Sequence, residues 1–217
     1  MGMRVTNEQA ETAAAACVAA VMDRYGGADV VATVEHHSND FKMPFVRIHA
    51  PAQHWVALAK TLRFDLGANY CSMVTGTHFP DGGEDRGWDV VYHLMRQPVA
   101  NQKPHTNTVH VAEKLTGNDI PLEFEVIITL PQTDVPSVPS VQSIWVGADW
   151  NEKETWDLVG IKFEGHENMH RVLNPHDSPE GFHPLQKQHK IRYHDFNEMY
   201  DDAQGFGRKP TDEGRVK

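Results

Sequence analysis

The sequence predicts an α+β domain, with helices packed on one face of a mixed or antiparallel sheet and an extended C-terminal tail. Three observations carry that expectation. A helical stretch opens the chain at Thr6–Tyr25. Alternating apolar residues mark strands in its middle, most clearly Leu122, Phe124, Val126, Ile128 and Leu130 against Glu123, Glu125 and Thr129. Helical signals return between Ser140 and Val159. Helix, strand, helix, several antiparallel strands and helix, in that order, is the pattern of helices segregated to one face of a sheet.

Taken in order, the first helix carries Glu8 and Glu11 near its start and is followed by Gly26–Gly27, which suits the polarity of a helix and its stop signal. Phe45, Val46, Arg47 and Ile48 read as a short strand closed by His49–Ala50. Pro51 then opens a second helix, with Val56, Ala59, Arg63 and Leu66 on one face and Trp55, Leu58 and Leu62 on the neighbouring one; Gly67 stops it. Tyr70–Thr77 and the alternating Trp88, Val90, Tyr92 and Leu94 form a hairpin pattern around a long tip, Pro80–Gly87. A further strand is expected at Val109 and Val111. The stretch Pro131–Pro139 holds three prolines and is expected to be loop. Beyond Pro184 the chain changes character. The expected organisation is therefore a domain over residues 1–185, with its N-terminal helix at 6–25 and a signature segment at 150–173, and a partner-binding tail over 186–217.

Composition narrows the function classes. A chain of 217 residues is long enough to bury about 70% of its unfolded surface without a disulfide or metal. Its two cysteines, Cys17 and Cys71, fall short of the roughly four thiolates that an iron–sulfur cluster needs, and they point to a reducing compartment. The net charge of −10 disfavours binding to nucleic acid or an anionic membrane. No apolar run approaches the roughly 20 residues that span a bilayer, so membrane contact is expected only through partners.

Candidate chemistry is sparse. The loop Thr75–Gly87 is glycine-rich but acidic and lacks the Gly-Lys-Ser/Thr ending of a phosphate cradle. Fourteen histidines raise a metal hypothesis, with His166 and His170 at the spacing of a helical ligand pair, but Gly165 and Pro175 argue against a regular helix through both. Glu152, Glu154 and Asp157 imitate an acid/base cluster. Helix-end chemistry accounts for them more simply: Asn151 caps, Glu154 completes a capping box, Lys153 pairs with Asp157, and Gly160 ends the helix. Around them gather Trp145, Trp150, Trp156, Leu158, Val159, Ile161 and Phe163, an aromatic and apolar density that reads as core or as partner surface.

One stretch resembles a known family. Val138–Pro139–Ser140–Val141, Ile144–Trp145 and Gly147–Ala148–Asp149–Trp150 resemble the approach to the signature of the 30 kDa (C-type) subunit family of respiratory complex I. Glu152–Lys153–Glu154–Thr155–Trp156–Asp157–Leu158–Val159–Gly160–Ile161–Lys162–Phe163–Glu164–Gly165–His166 resembles the signature itself. The likeness runs on through Asn168, Met169, Arg171, Val172 and Leu173 to Gly181, His183, Pro184 and Leu185, and upstream includes Trp88–Leu94, so that it covers residues 45–185. Three departures mark a divergent member. Lys153 stands where the family has arginine, His170–Arg171 leaves one arginine where the family has two, and Gln186–His189 replaces the family's Arg-Lys-Asp-Tyr; arginine and lysine are not interchangeable at bidentate contacts.

The resemblance implies a non-redox structural subunit of the peripheral arm, on the cytoplasmic side of the inner membrane. It would pack against the large quinone-site subunit (the D-type one) within an assembly that passes electrons from NADH to quinone and translocates protons. It implies no catalytic residue, metal or cofactor in this chain; iron–sulfur clusters, flavin and quinone belong to the partners. Glu152, Glu154, Trp156, Asp157, Gly160, Phe163, Gly165, His166 and Arg171 are then fold- and interface-defining. The alternatives are the equivalent subunit of a membrane-bound hydrogenase or ferredoxin-driven relative, and a stand-alone histidine-rich metal enzyme.

Overall fold

The computed structural model describes residues 5–97 and 120–187. Two units divide the chain, Met1–Lys187 and Gln188–Lys217, and every described residue belongs to the first. The expected strand at Val109 and Val111 and nearly all of the tail lie outside the described residues.

Helix α1 (Asn7–Tyr25) starts on a capping box: the Thr6 hydroxyl accepts from the Gln9 amide while the Gln9 side chain accepts from the Thr6 amide. Ala10, Ala13, Ala14, Cys17 and Val21 recur at three- and four-residue steps and form its buried face. Strands β1 (Val31–His36), β2 (Pro44–His49), β3 (Tyr70–His78), β4 (Trp88–Arg96) and β5 (Leu122–Leu130) make one sheet in the order β1-β2-β5-β4-β3. Only β2 and β5 run parallel; the other neighbours are antiparallel, which makes the sheet mixed. β1 is not among the strands that the sequence predicts.

The pleat sorts the residues as the alternation predicts. Val46, Ile48, Phe124, Val126, Ile128, Val90, Tyr92 and Leu94 share the fully buried face. Arg47 and Glu125 pair across β2 and β5 on the opposite, wetter face. Each large apolar side chain taken out of water contributes about 1.5–3 kcal/mol, so this register is strongly fixed. A slip of one residue would turn the whole apolar set toward solvent.

The helix expected from Pro51 to Leu66 is present but changes pitch. A 3-10 turn (Ala52–His54) leads into α2 (Trp55–Lys60), and a π-turn (Thr61–Asp65) follows. Trp55, Leu58, Ala59 and Leu62 are wholly buried against the sheet. The widened last turn places the Thr61 hydroxyl 2.8 Å from the Tyr25 hydroxyl, tying α2's end to α1's.

Two expectations fail near the C-terminal half. The proline-rich stretch 131–139 is not all loop: β6 (Ser137–Pro139) pairs in parallel with β7 (Lys162–Glu164), placing Val138 beside Phe163. Helix α3 (Val146–Val159) starts well before Asn151. Its N-terminal residue Trp145 is extended and caps with no side-chain bond; instead its indole donates to the Ala68 carbonyl at 2.8 Å. Tertiary anchoring of a buried tryptophan, rather than a capping side chain, sets where this helix begins.

Candidate functional site

The signature residues meet on α3 and on the chain that folds back over its C-terminal end. α3 lies close against β3 because position 147 is glycine: a Cβ there would sit 2.6 Å from the Cys71 carbonyl oxygen. Thr155 reinforces the contact by donating to the Val74 carbonyl at 2.9 Å.

Glu152 points inward, fully buried. Its carboxyl group accepts from the Val141 amide at 2.9 Å and from the Ser140 hydroxyl, fastening the turn before α3 to the helix. Burial pushes its pKa up from 4.5 to about 7; the bonds from Ser140 and Val141 oppose the rise and Asp149 adds to it. The same carboxyl contributes to raising Tyr92 and Cys71. Burial is the main cause in both cases, and it takes the Cys71 thiol to about 12.

Asp157 is the other hub. Its carboxylate accepts from the Arg171 guanidinium at 2.7 Å, from the amides of Val172, Leu173 and Asn174 at 3.1, 2.9 and 2.8 Å, and from the Asn174 side chain at 3.0 Å. Burial alone would raise this carboxyl. The bonds from Asn174, Leu173 and Arg171 outweigh it and hold the group below the usual carboxylate range. Arg171 also donates to the carbonyls of Pro179 and Phe182, and its guanidinium lies over the half-buried Trp156 ring at 5.6 Å.

The returning segment then crosses the end of α3. His183 Nδ1 lies 3.0 Å from the Asp157 carbonyl, Leu185 donates to the Leu158 carbonyl, Gln186 to that of Val159, and the Lys187 amide to Nδ1 of His78. Gly160 makes this crossing possible. Its φ of 91° is left-handed, and a Cβ there would fall 2.6 Å from the Gln186 amide nitrogen and 2.7 Å from the His183 ring.

The remaining signature residues have structural places. Phe163 is buried on β7, and Gly165 turns the chain at φ 79°. The His166 ring is buried against Asp149, 3.3 Å from its carboxylate and 3.2 Å from its carbonyl. Glu154 is half-buried on α3.

The helix-end account of the acids is overturned. Asn151 lies inside α3 and donates to the Gly147 carbonyl at 2.7 Å, so it caps nothing. Lys153 pairs with Asp149 at 2.9 Å, one turn earlier, and leaves Asp157 to Arg171. Gly160 does end the helix. His166 and His170 share no helix: His170 is exposed and lies 3.0 Å from the Asn168 carbonyl. Among the described residues, no three His, Cys, Asp or Glu side chains gather as a metal-holding group.

Sequence reasoning gave no role to Asn174, and named Asp149 and Ser140 only as part of the resemblance; all three receive or make the bonds just described. Asp149 was within reach, because Asp149 and Lys153 have the acid-before-base spacing of four that favours a helical ion pair.

An α+β domain with a mixed sheet, whose C-terminal signature folds back over one helix, is thus in hand. Residues 48–195 match the family described as the respiratory-chain NADH dehydrogenase 30 kDa subunit, and the chain belongs to that family. The C subunit of the NADH-quinone oxidoreductase from Chloroherpeton thalassium is 31% identical over 184 residues, 83% of this chain and 63% of the relative. The C/D subunit of the NADH-quinone oxidoreductase from Methylococcus capsulatus is 38% identical over 88 residues, 41% of this chain and 14% of that protein. The chain spans less than two thirds of the length of the first curated relatives it matches. Among solved structures, a chain of the membrane-bound sulfane sulfur reductase (MBS), an archaeal respiratory membrane complex, shares the fold. The TM-score is 0.54 at 20% identity, over 92% of this chain and 96% of that one. No helix among the described residues is long and apolar enough to cross a membrane.

Proposed function

We propose that the chain is a non-redox structural subunit in the peripheral arm of a complex I-type quinone oxidoreductase, on the cytoplasmic face of the membrane. In this reading it packs against the large quinone-site subunit, while electron transfer to quinone and proton translocation belong to the assembly. Flavin, iron–sulfur clusters and quinone are held by the partners. The observation that carries the reading is where the signature's polar groups go. Glu152 fastens the turn at Ser140–Val141, and Asp157 gathers residues 171–174, so the acids most like catalytic groups hold this chain's own backbone. The double name C/D of the Methylococcus capsulatus relative supports a neighbour of the D type.

A second reading is the equivalent subunit of a membrane-bound hydrogenase or ferredoxin-driven relative. The fold is shared with a chain of the MBS complex, a sulfane sulfur reductase, so it occurs in a respiratory membrane complex that is not named an NADH-quinone oxidoreductase.

Affinity purification of the tagged chain from detergent-solubilised membranes of its host tests both. The expected result is co-purification with a large quinone-site subunit and NADH:quinone turnover in the eluate. Hydrogen or ferredoxin as the working donor would support the second reading. A chain that purifies alone, with stoichiometric iron, zinc or flavin, would overturn both.

A further inference from the structure

Helix α3 uses nearly all of its polar side chains internally. Asp149 binds Lys153 and His166, Asn151 donates to Gly147, Glu152 accepts from Ser140 and Val141, Thr155 donates to Val74, and Asp157 holds Arg171. Glu154 is the exception: among the described residues it has no hydrogen-bond or ion-pair partner. It shares an outward stripe with Trp150 and Val146, at successive steps of four residues. Trp150 is 54% exposed and Val146 92% exposed.

We propose that Val146, Trp150 and Glu154 form the surface by which this chain docks on the large quinone-site subunit, seated in an apolar pocket whose rim carries an arginine or lysine opposite Glu154. The inference rests on the subunit role proposed above and adds which face is used and what chemistry receives it.

Two features identify the occupant. Tryptophan is strongly favoured as an interface anchor, because it removes a large apolar area from water with few torsions to fix. An indole left half in solvent next to an almost fully exposed valine is out of keeping with a helix so completely bonded elsewhere. Charge supplies the second feature. The chain carries a net −10, and the carboxylate of the stripe lacks a partner among the described residues, so a rim of opposite sign both steers the approach and fixes the register. Other exposed apolar side chains do not combine these features. Phe64 has the Arg63 guanidinium 5.9 Å from its ring, and Phe41 and Val135 stand on separate loops. Scattered exposed residues of this kind are ordinary.

The test is affinity purification of the tagged full chain from membranes, comparing wild type with Trp150→Ala, Glu154→Arg and, as a control on another surface, Phe64→Ala. All three sites are at least partly solvent-exposed, and the thermal melts of the purified variants should match wild type, separating docking from folding. Trp150→Ala should lower the recovered partner by at least about tenfold, the size of an anchor's loss. Glu154→Arg should lower it as well, while Phe64→Ala leaves it unchanged. Wild-type recovery in both stripe variants would overturn the docking surface and leave the subunit role standing. A wild-type chain that brings down no respiratory partner would overturn both. A homodimer of the free chain that Trp150→Ala dissolves would assign the stripe to self-association and overturn the proposal.

Discussion

Replacing Glu152 by glutamine isolates what one buried carboxyl group does to the pH dependence of folding. In the folded chain the group has a pKa of about 7; an unfolded chain returns it to its ordinary 4.5. Between those two values the unfolded chain has released the proton and the folded chain still holds it. The folded state binds more protons, so stability must fall as pH rises through this window. The contribution is fully present below 4.5 and gone above about 7. At about 1.36 kcal/mol for each pH decade, the loss amounts to roughly 3 kcal/mol. A domain of this size is stable by only about 5–15 kcal/mol, so the effect is large enough to measure. Glutamine cannot ionise but keeps the shape: its carbonyl can accept from the Val141 amide and its amide can donate to the Ser140 hydroxyl. Urea unfolding of both proteins, from about pH 5 to about pH 8, should show similar stabilities at the acid end and a variant that gains up to about 3 kcal/mol over wild type toward the alkaline end. Comparing the two curves cancels the titrating groups that do not interact with Glu152. Curves that stay parallel would mean that folding leaves the carboxyl's pKa unshifted, and a wild type that gains on the variant as pH rises would mean that the ionised carboxylate is the stabilised form; either result would refute the reasoning.

Asp157→Asn leaves Arg171 buried without its carboxylate and turns an amide toward three backbone N–H groups, so it should cost about 3–5 kcal/mol and expose residues 171–187 to limited proteolysis. The Asp157 pKa is held low, so its contribution is present above the ordinary carboxylate range and lost as pH falls toward the folded value; the variant should flatten the acid limb of the stability curve. Unchanged protease resistance at neutral pH would count against the hub. Gly160→Ala forces a left-handed backbone at about 1–2 kcal/mol, with a further penalty from Gln186 and His183, and its denaturation midpoint should fall well below that of wild type. Asn151→Ala should change stability by no more than about 0.5 kcal/mol, since the side chain bonds only within its own helix. A loss several times larger would restore it as a cap.

Legibility divided along the reach of the forces involved. β5 could be read because alternation along nine residues needs no information from elsewhere: Leu122 to Leu130 alternate, and the buried face follows. β1 left little trace. It is an edge strand whose only buried member is Ala32, so the apolar signal that marks a strand is nearly absent. β6 is three residues bounded by prolines, and it exists because β7 lies beside it, more than twenty residues further on. The start of α3 escapes local reading for the same reason: Asn151 and Glu154 satisfy a capping pattern locally, but the bond from Trp145 to Ala68 spans 77 positions and decides the matter.

The motif itself was legible as a run of family likeness from Glu152 to His166, broken at Lys153, while the chemistry of its acids was not. Spacing allowed Lys153 to pair with either Asp149 or Asp157, since both lie four residues away. What breaks the tie is competition for Asp157. One lysine on a helix surface offers a single flexible cation, worth a few tenths of a kcal/mol in such a pair. The folded-back segment offers Arg171, three converging backbone amides and the Asn174 side chain, all charge-assisted bonds to a carboxylate shielded from water. Five donors outweigh one, and Lys153 is left to Asp149. That choice depends on where residues 171–174 lie in space, which no spacing rule within α3 can supply.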